Sequence, residues 1–209
     1  MTARLDRTVT TGTFELDGGV WEVDNNVWVL GDDTECVVFD APHDADAIVE
    51  LVGDRAVRAI LLTHAHSDHV DAVLDLQEKV GASIHLHPAD APLWERSHPE
   101  RRWDEDLRDG QTFEVAGVTI HVLHTPGHAP GACCFWVPDL GVVLTGDTLF
   151  EGGPGATGRS FSDFPTIIAS ITDKLLTLPD ETVVHTGHGG DTTIGAEKPQ
   201  RQEWVDRGR

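Results

Sequence analysis

The stretch His64-Ala65-His66-Ser67-Asp68-His69 places three imidazoles and one carboxylate within six residues. Imidazole and carboxylate are ligands that zinc takes alongside thiolate, and they also suit iron and manganese. Buried bare, four such groups would pay heavily for the loss of water, so they either hold a cation or form a solvated loop. On an extended backbone His64 and His66 point to the same side. A turn into a helix then brings Asp68 and His69 round beside them. The segments on either side favour the metal-binding reading, because they are built to hold such a stretch in place.

Before the cluster, Val57–Leu62 is an apolar, β-branched run that reads as a strand; after it, Val70–Val80 reads as a helix stopped by Gly81. Upstream, Thr13–Leu16, Gly19–Val23, Asn26–Leu30 and Glu35–Phe39 read as short strands of hairpins, divided by Asp-Gly-Gly, Asp24-Asn25 and Gly-Asp-Asp turns. Asp44 caps a helix running to Val52. Downstream, Ser83–His87 is a strand and Ala89–Trp94 a short helix. Thr112–Val115 pairs with Val118–Leu123, and Ala132–Val137 with Gly141–Leu144. Phe164–Thr177 is a helix, and Thr182–His185 a last strand. Strands dominate, with too few helices for a doubly wound parallel sheet. Two sheets sandwiched between helices, an α+β arrangement within one domain over 1–209, fit the pattern.

Thr63-His64-Ala65-His66-Ser67-Asp68-His69 is similar to the T-H-x-H-x-D-H signature of the metallo-β-lactamase superfamily. Three further pieces follow in that family's order: Thr125-Pro126-Gly127-His128, Thr145-Gly146-Asp147-Thr148-Leu149-Phe150 and Thr186-Gly187-His188. The resemblance implies an αββα sandwich with two metal ions, Zn2+ first and Fe or Mn as alternatives. It implies that His64, His66 and His128 hold one ion and Asp68, His69 and His188 the other. Asp147 would bridge them with one oxygen each. Ions about 3.5–4 Å apart can hold a bridging hydroxide, lower its pKa to about 7 and so supply the nucleophile. Asp68 is then a catalytic as well as a ligating residue.

Within the superfamily, Asp147 and the Gly-Asp-Thr-Leu-Phe run look most like the glyoxalase II branch, which hydrolyses thioesters. A thiolate leaves without much protonation, since thiols have pKa values near 8.5. The chain has no Tyr, and it ends 21 residues after His188. It therefore resembles the short, single-domain glyoxalase II-like group, whose carrier is a low-molecular-weight thiol. The runner-up is a persulfide dioxygenase of the same fold, with one iron on His64, His128 and Asp147. Zinc β-lactamases commonly put Cys where Asp147 stands. A non-catalytic member is disfavoured by the complete ligand set.

Around this set, Asp40 at the end of a strand and His124 four residues before His128 are candidates to support the ligands from behind. The Gly-rich loop 151–164 could be a lid in which Arg159 anchors a substrate carboxylate or amide, or in which Arg159 merely pairs with Asp163. His85, His121 and His185 read as packed or surface groups, and His43, His87 and His98 as loop residues. Residues 93–108, with Trp94 and Trp103, read as a solvated insertion rather than a pocket wall.

The charge balance, 36 acidic against 15 basic residues, leaves little for a phosphate-binding face, so nucleic acid is an unsuitable partner and a small molecule the expected one. No apolar run is long enough to span a bilayer, and the N-terminal residues carry no apolar signal core. Three cysteines make no disulfide framework. The expectation is a cytoplasmic protein with no membrane partner; oligomeric state is not legible.

Overall fold

A computed structural model describes residues 2–208. Its first feature is a long hairpin of two 13-residue strands, β1 (Arg4–Leu16) and β2 (Gly19–Gly31). Asp17 and Gly18 turn the chain at φ +52° and +79°, the double positive φ that matches strand twist in a two-residue hairpin. The expected turn at Asp24-Asn25 is absent. Both residues continue β2, with Asn25 opposite Thr10, and Asn25 is fully buried. The Asn25 side chain is placed inside a site, and exposed Asp24 accepts from Thr11 Oγ1 across the hairpin at 2.6 Å.

β3 (Glu35–Phe39) pairs antiparallel with β2, and then β4 (Ala56–Leu61), β5 (Ile84–Leu86) and β6 (Glu105–Asp106) add in parallel. The result is a six-stranded sheet in the order β1-β2-β3-β4-β5-β6. The crossovers are helical: α1 (Ala45–Val52), the one-turn α2 (Ser67–Val70), α3 (Val73–Val80) and α4 (Ala91–Ser97). Asp44 caps α1 by accepting from the amides of Asp46 and Ala47. The helix expected over 70–80 is interrupted at Asp71-Ala72, where α2 gives way to α3.

The second sheet has the order β14-β13-β10-β9-β8-β7. It comprises β7 (Thr112–Val115), β8 (Val118–His124), β9 (Cys133–Val137), β10 (Val142–Gly146), β13 (Val183–Thr186) and β14 (Thr192–Thr193). Between them lie the small ribbon β11 (Leu149–Phe150) and β12 (Gly153–Pro154) and helix α5 (Phe164–Ser170). Beyond Ser170 the helix expected to reach Thr177 widens to a single i→i+5 turn, with Leu176 N–H bonded to the Ile171 carbonyl at 2.9 Å. After β14 come α6 (Ile194–Glu197) and α7 (Arg201–Arg207), which the sequence pattern did not announce.

Three apolar layers hold these pieces together. Leu30, Phe39 and Leu61 of the first sheet meet Val122, Phe135 and Leu144 of the second. Ile48 and Leu76 cover the first sheet's outer face, and Ile167, Ile171 and Trp204 cover the second's. This is the four-layer αββα sandwich. Residues 93–108 are not a solvated insertion: Leu93, Trp94 and Trp103 are buried in the outer layer of the first sheet, against α3's side of the core. Among the described residues, no helix is long and apolar enough to cross a membrane.

Candidate metal centre

Strand direction explains why distant residues meet. β8 and β10 are both antiparallel to β9, and β13 is parallel to β10, so β8, β10 and β13 all end at one edge of the second sheet. The loops leaving those three ends carry His128, Asp147 and His188. β4 of the first sheet ends beside them and delivers 64–69. His66 is extended (φ −64°, ψ 149°), and Asp68 and His69 then lie in the single turn of α2.

Two groups of donors result. His64 Nε2 and His128 Nε2 each lie 3.0 Å from His66 Nδ1. A tetrahedral ion with bonds of about 2.05 Å would set its ligand nitrogens about 3.3 Å apart, so this spacing fits a metal. His188 Nε2 and His69 Nε2 lie 3.3 and 3.7 Å from Asp68 Oδ2. Asp147 stands between: Oδ1 is 3.5 Å from His69 Nε2, and Oδ2 is 3.6 Å from His128 and 3.4 Å from His188. The expected division of one oxygen per group is thus incomplete, because Oδ2 faces both. Asp147 Oδ1 is buried with no hydrogen-bond partner, an atom left waiting for a cation.

The outer nitrogens decide the tautomers. Nδ1–H of His128 donates to the Ala156 carbonyl (2.9 Å) and that of His188 to the Asp24 carbonyl (2.7 Å). His69 Nδ1–H donates to Asp40 Oδ2 at 2.9 Å. Each of these bonds turns Nδ1 outward and leaves Nε2 facing inward. Asp40 also accepts from Thr63 N–H (2.7 Å) and Thr63 Oγ1 (2.8 Å), and Thr63 Oγ1 lies 3.0 Å from His64 Nδ1. One carboxylate therefore orients an imidazole from each group.

The two groups differ in charge. Burial pushes His64 well below the ordinary histidine range, His66 down to about 3, and His128 down. All three are neutral rings with lone pairs to give. In the second group burial works against charge but loses: the carboxylates of Asp68 and Asp147 hold His69 well above its ordinary value, and Asp147 holds His188 up at about 10. The same imidazoles overcome burial to keep Asp147 well below, and Asp68 below, the carboxylate range. Carboxylates that retain charge in a buried site are suited to a cation.

A cavity of about 440 Å³ opens over these donors, walled by Phe14, Trp21 and Val23 of the hairpin and by Arg159 of the 151–164 loop. Arg159 does not pair with Asp163, which instead caps α5 by accepting from Thr166 N–H. Its guanidinium lies over the Trp21 ring at 3.8 Å. Ser160 N–H donates to Asp17 Oδ2 at 3.1 Å, tying the loop to the hairpin tip. His124 does not reach a ligand. It stacks on His87 at 3.9 Å and bonds the Pro130 carbonyl.

Sequence reasoning missed Asp90 and Asn25. Asp90 accepts from Ala65 N–H (2.9 Å) and Gly131 N–H (2.5 Å), joining the backbone between His64 and His66 to the loop after His128. Burial raises its carboxyl to about 7 against those two bonds. Asn25 presents Nδ2 to Asp68 Oδ2 at 3.1 Å. No sequence signal marked Asn25, whose pairing with Asp24 reads as a turn. Gly187 is a third fixture, since a Cβ there would strike Asp147 Oδ1 and lie 2.9 Å from His69 Cε1.

A family profile described as the Metallo-beta-lactamase superfamily matches residues 20–188. The hydroxyacylglutathione hydrolase GloC of Haemophilus influenzae is 34% identical over 188 residues, covering 81% of this chain and 87% of that one. The solved structure of the B3 metallo-beta-lactamase BLEG-1 matches with a TM-score of 0.76 and 31% identity, over 91% of this chain and 97% of that one. TTHA1623, solved in a di-iron-bound form, matches with a TM-score of 0.75 and 34% identity over 84% and 93%.

Proposed function

Because this chain belongs to the metallo-beta-lactamase superfamily, we propose that it is a two-metal hydrolase that cleaves the thioester of a low-molecular-weight thiol. The observation that carries the proposal is the convergence of seven donors into two groups with Asp147 between them. His64, His66 and His128 would hold one ion, and Asp68, His69 and His188 the other. Zn2+ suits these donors, and so does iron, the metal of the TTHA1623 structure. When bound, such a pair supplies an activated water and polarises a carbonyl.

The chain's own residues do the rest. Asp40, Ala156 and Asp24 hold the imidazole tautomers. Phe14 and Trp21 form an apolar wall that limits water over the reacting carbonyl. Arg159, stacked on Trp21 and without a carboxylate partner among the described residues, is placed to receive an anionic or amide group of the substrate. No general acid is needed for a leaving thiolate. The name of GloC, a hydroxyacylglutathione hydrolase, supports a thiol-borne acyl group.

The test is metal content per chain on protein purified without chelators, with assays on a thioester, a persulfide and a β-lactam. Two ions per chain with thiol release are expected. One iron per chain with oxygen uptake on the persulfide, or turnover of the β-lactam alone, would overturn the proposal.

A further inference from the structure

Asn25 is fully buried in the middle of β2, where a polar side chain must have all its partners supplied by the fold. Asp68 can only accept, so the Asn25 atom facing it at 3.1 Å is the amide nitrogen. That nitrogen also stands 3.4 Å from His69 Nε2 and 3.4 Å from His188 Nε2. It thus looks onto every member of one candidate metal group. Asn25 Oδ1 then faces away, 3.0 Å from His43 Nε2.

His43 is held with unusual effort. Its backbone is left-handed at φ +60°, uncommon for a residue other than glycine. Its side chain is 4% exposed, with Nδ1 3.1 Å from Asp71 Oδ2, and its backbone N–H donates to Asp71 Oδ1 at 2.6 Å. The facing strand is thinned at Gly12, where a Cβ would strike the imidazole ring. Both ring nitrogens of His43 face acceptors, a carboxylate on one side and an amide oxygen on the other. His43 Nε2–H donates to Asn25 Oδ1, and the amide that it orients donates onward into the centre.

We propose that Asn25 is a positioning residue of the metal centre: the Asp71–His43 pair fixes its amide so that Nδ2–H holds Asp68 Oδ2 and sets which carboxylate lone pairs remain for the ion. The proposal rests on the assignment of Asp68, His69 and His188 as metal ligands. Bonds of this kind behind a ligand change affinity about 10–100-fold when removed.

The experiment is a competitive chelator titration with Zn2+ on the full chain and on the Asn25→Ala, His43→Phe and Asp71→Asn variants. Asn25→Ala and His43→Phe are expected to weaken one of the two sites about 10–100-fold, with a smaller loss for Asp71→Asn, while the other site keeps its affinity within about twofold. Retention of that second affinity also shows that a variant is folded. Long-range 15N NMR of the metal-free protein should find a proton on His43 Nε2, the nitrogen that faces Asn25 Oδ1. Two intact, unweakened sites in Asn25→Ala and His43→Phe, or an unprotonated Nε2 on His43, overturn the inference while leaving the two-metal reading in place. A wild-type chain that binds a single ion overturns both.

Discussion

Asp40→Asn keeps the volume at its position and reverses one donor–acceptor relation. The native carboxylate accepts from Thr63 N–H, Thr63 Oγ1–H and His69 Nδ1–H at 2.7, 2.8 and 2.9 Å. In the variant Asn Oδ1 can keep the backbone bond, but an NH2 group replaces the oxygen that receives the other two. His69 Nδ1 must then accept, and the ring proton moves to Nε2, the atom facing Asp68 and Asp147. The lone pair meant for the ion is lost. Removing such a partner costs about 10–100-fold in metal affinity, or roughly 1.4–2.7 kcal/mol. Losing the charge-assisted bond costs about 1.5–3 kcal/mol of stability, a fall in Tm of roughly 3–12 °C for a chain of this size. Asparagine tolerates the left-handed backbone of Asp40 (φ +60°), so backbone strain adds little. The assay is a chelator-competition titration beside a thermal melt of the metal-free protein. Unchanged affinity at both sites, within about twofold, would refute the tautomer reasoning.

Asp147→Ala should lower metal content at both positions, because its carboxylate contacts His69, His128 and His188, whereas Asp68→Ala should empty mainly one and abolish turnover; elemental analysis separates the two. Asp90→Asn leaves one of two buried backbone N–H groups without an acceptor and should cost about 1–3 kcal/mol in chemical denaturation. It should also change the pH dependence. Asp90 titrates at about 7 when folded against 3.8 as a free side chain, so the folded chain binds this proton more tightly and the group's contribution falls as pH rises towards 7. Between pH 5 and 7 the variant's stability should therefore decline less steeply, by up to about 1.4 kcal/mol per pH unit. Arg159→Met removes the guanidinium over Trp21 and should raise KM for a thioester of a carboxylate-bearing thiol about tenfold or more, with kcat nearly unchanged; an unchanged KM would remove Arg159 from the substrate site.

The elements that follow local rules were legible. Val57–Leu62 ends a strand where β4 ends, within a residue, because a β-branched apolar run has few alternatives between two packed layers. Gly81 stops α3 in a left-handed C-cap as its type demands. The errors arose where a tertiary demand outweighed local signals. Asp24-Asn25 has turn composition, yet β2 runs through it, where the Asp24 carbonyl accepts from His188 and the Asn25 amide donates to Asp68. Trp94 and Trp103 lie among alternating charges that suggested solvent, yet their rings pack edge to face 5.8 Å apart inside the outer layer. Charged neighbours report the exposed face of a segment, not the depth of its aromatics.

At the centre, the residues easiest to recognise were those whose chemistry is intrinsic to their type. The spacing of His64 to His69 brought out that cluster, and the resemblance of three later motifs to those of the superfamily brought out His128, Asp147 and His188. Their supports are different, because an acceptor is defined by what it faces. Asp90 becomes a fixture only when the fold brings Ala65 N–H and Gly131 N–H, 25 and 41 residues away, onto its two oxygens. His43 and Asn25 lie 18 residues apart on different elements, and nothing in either neighbourhood announces the other. His124, by contrast, is close to His128 in sequence, yet it is the last residue of β8 and its ring stacks on His87. Proximity along the chain is therefore a weak guide to which groups brace a ligand. The better guide is a buried polar residue in mid-strand, and Asn25 shows that it becomes visible only once the strand is known to run through its turn-like composition.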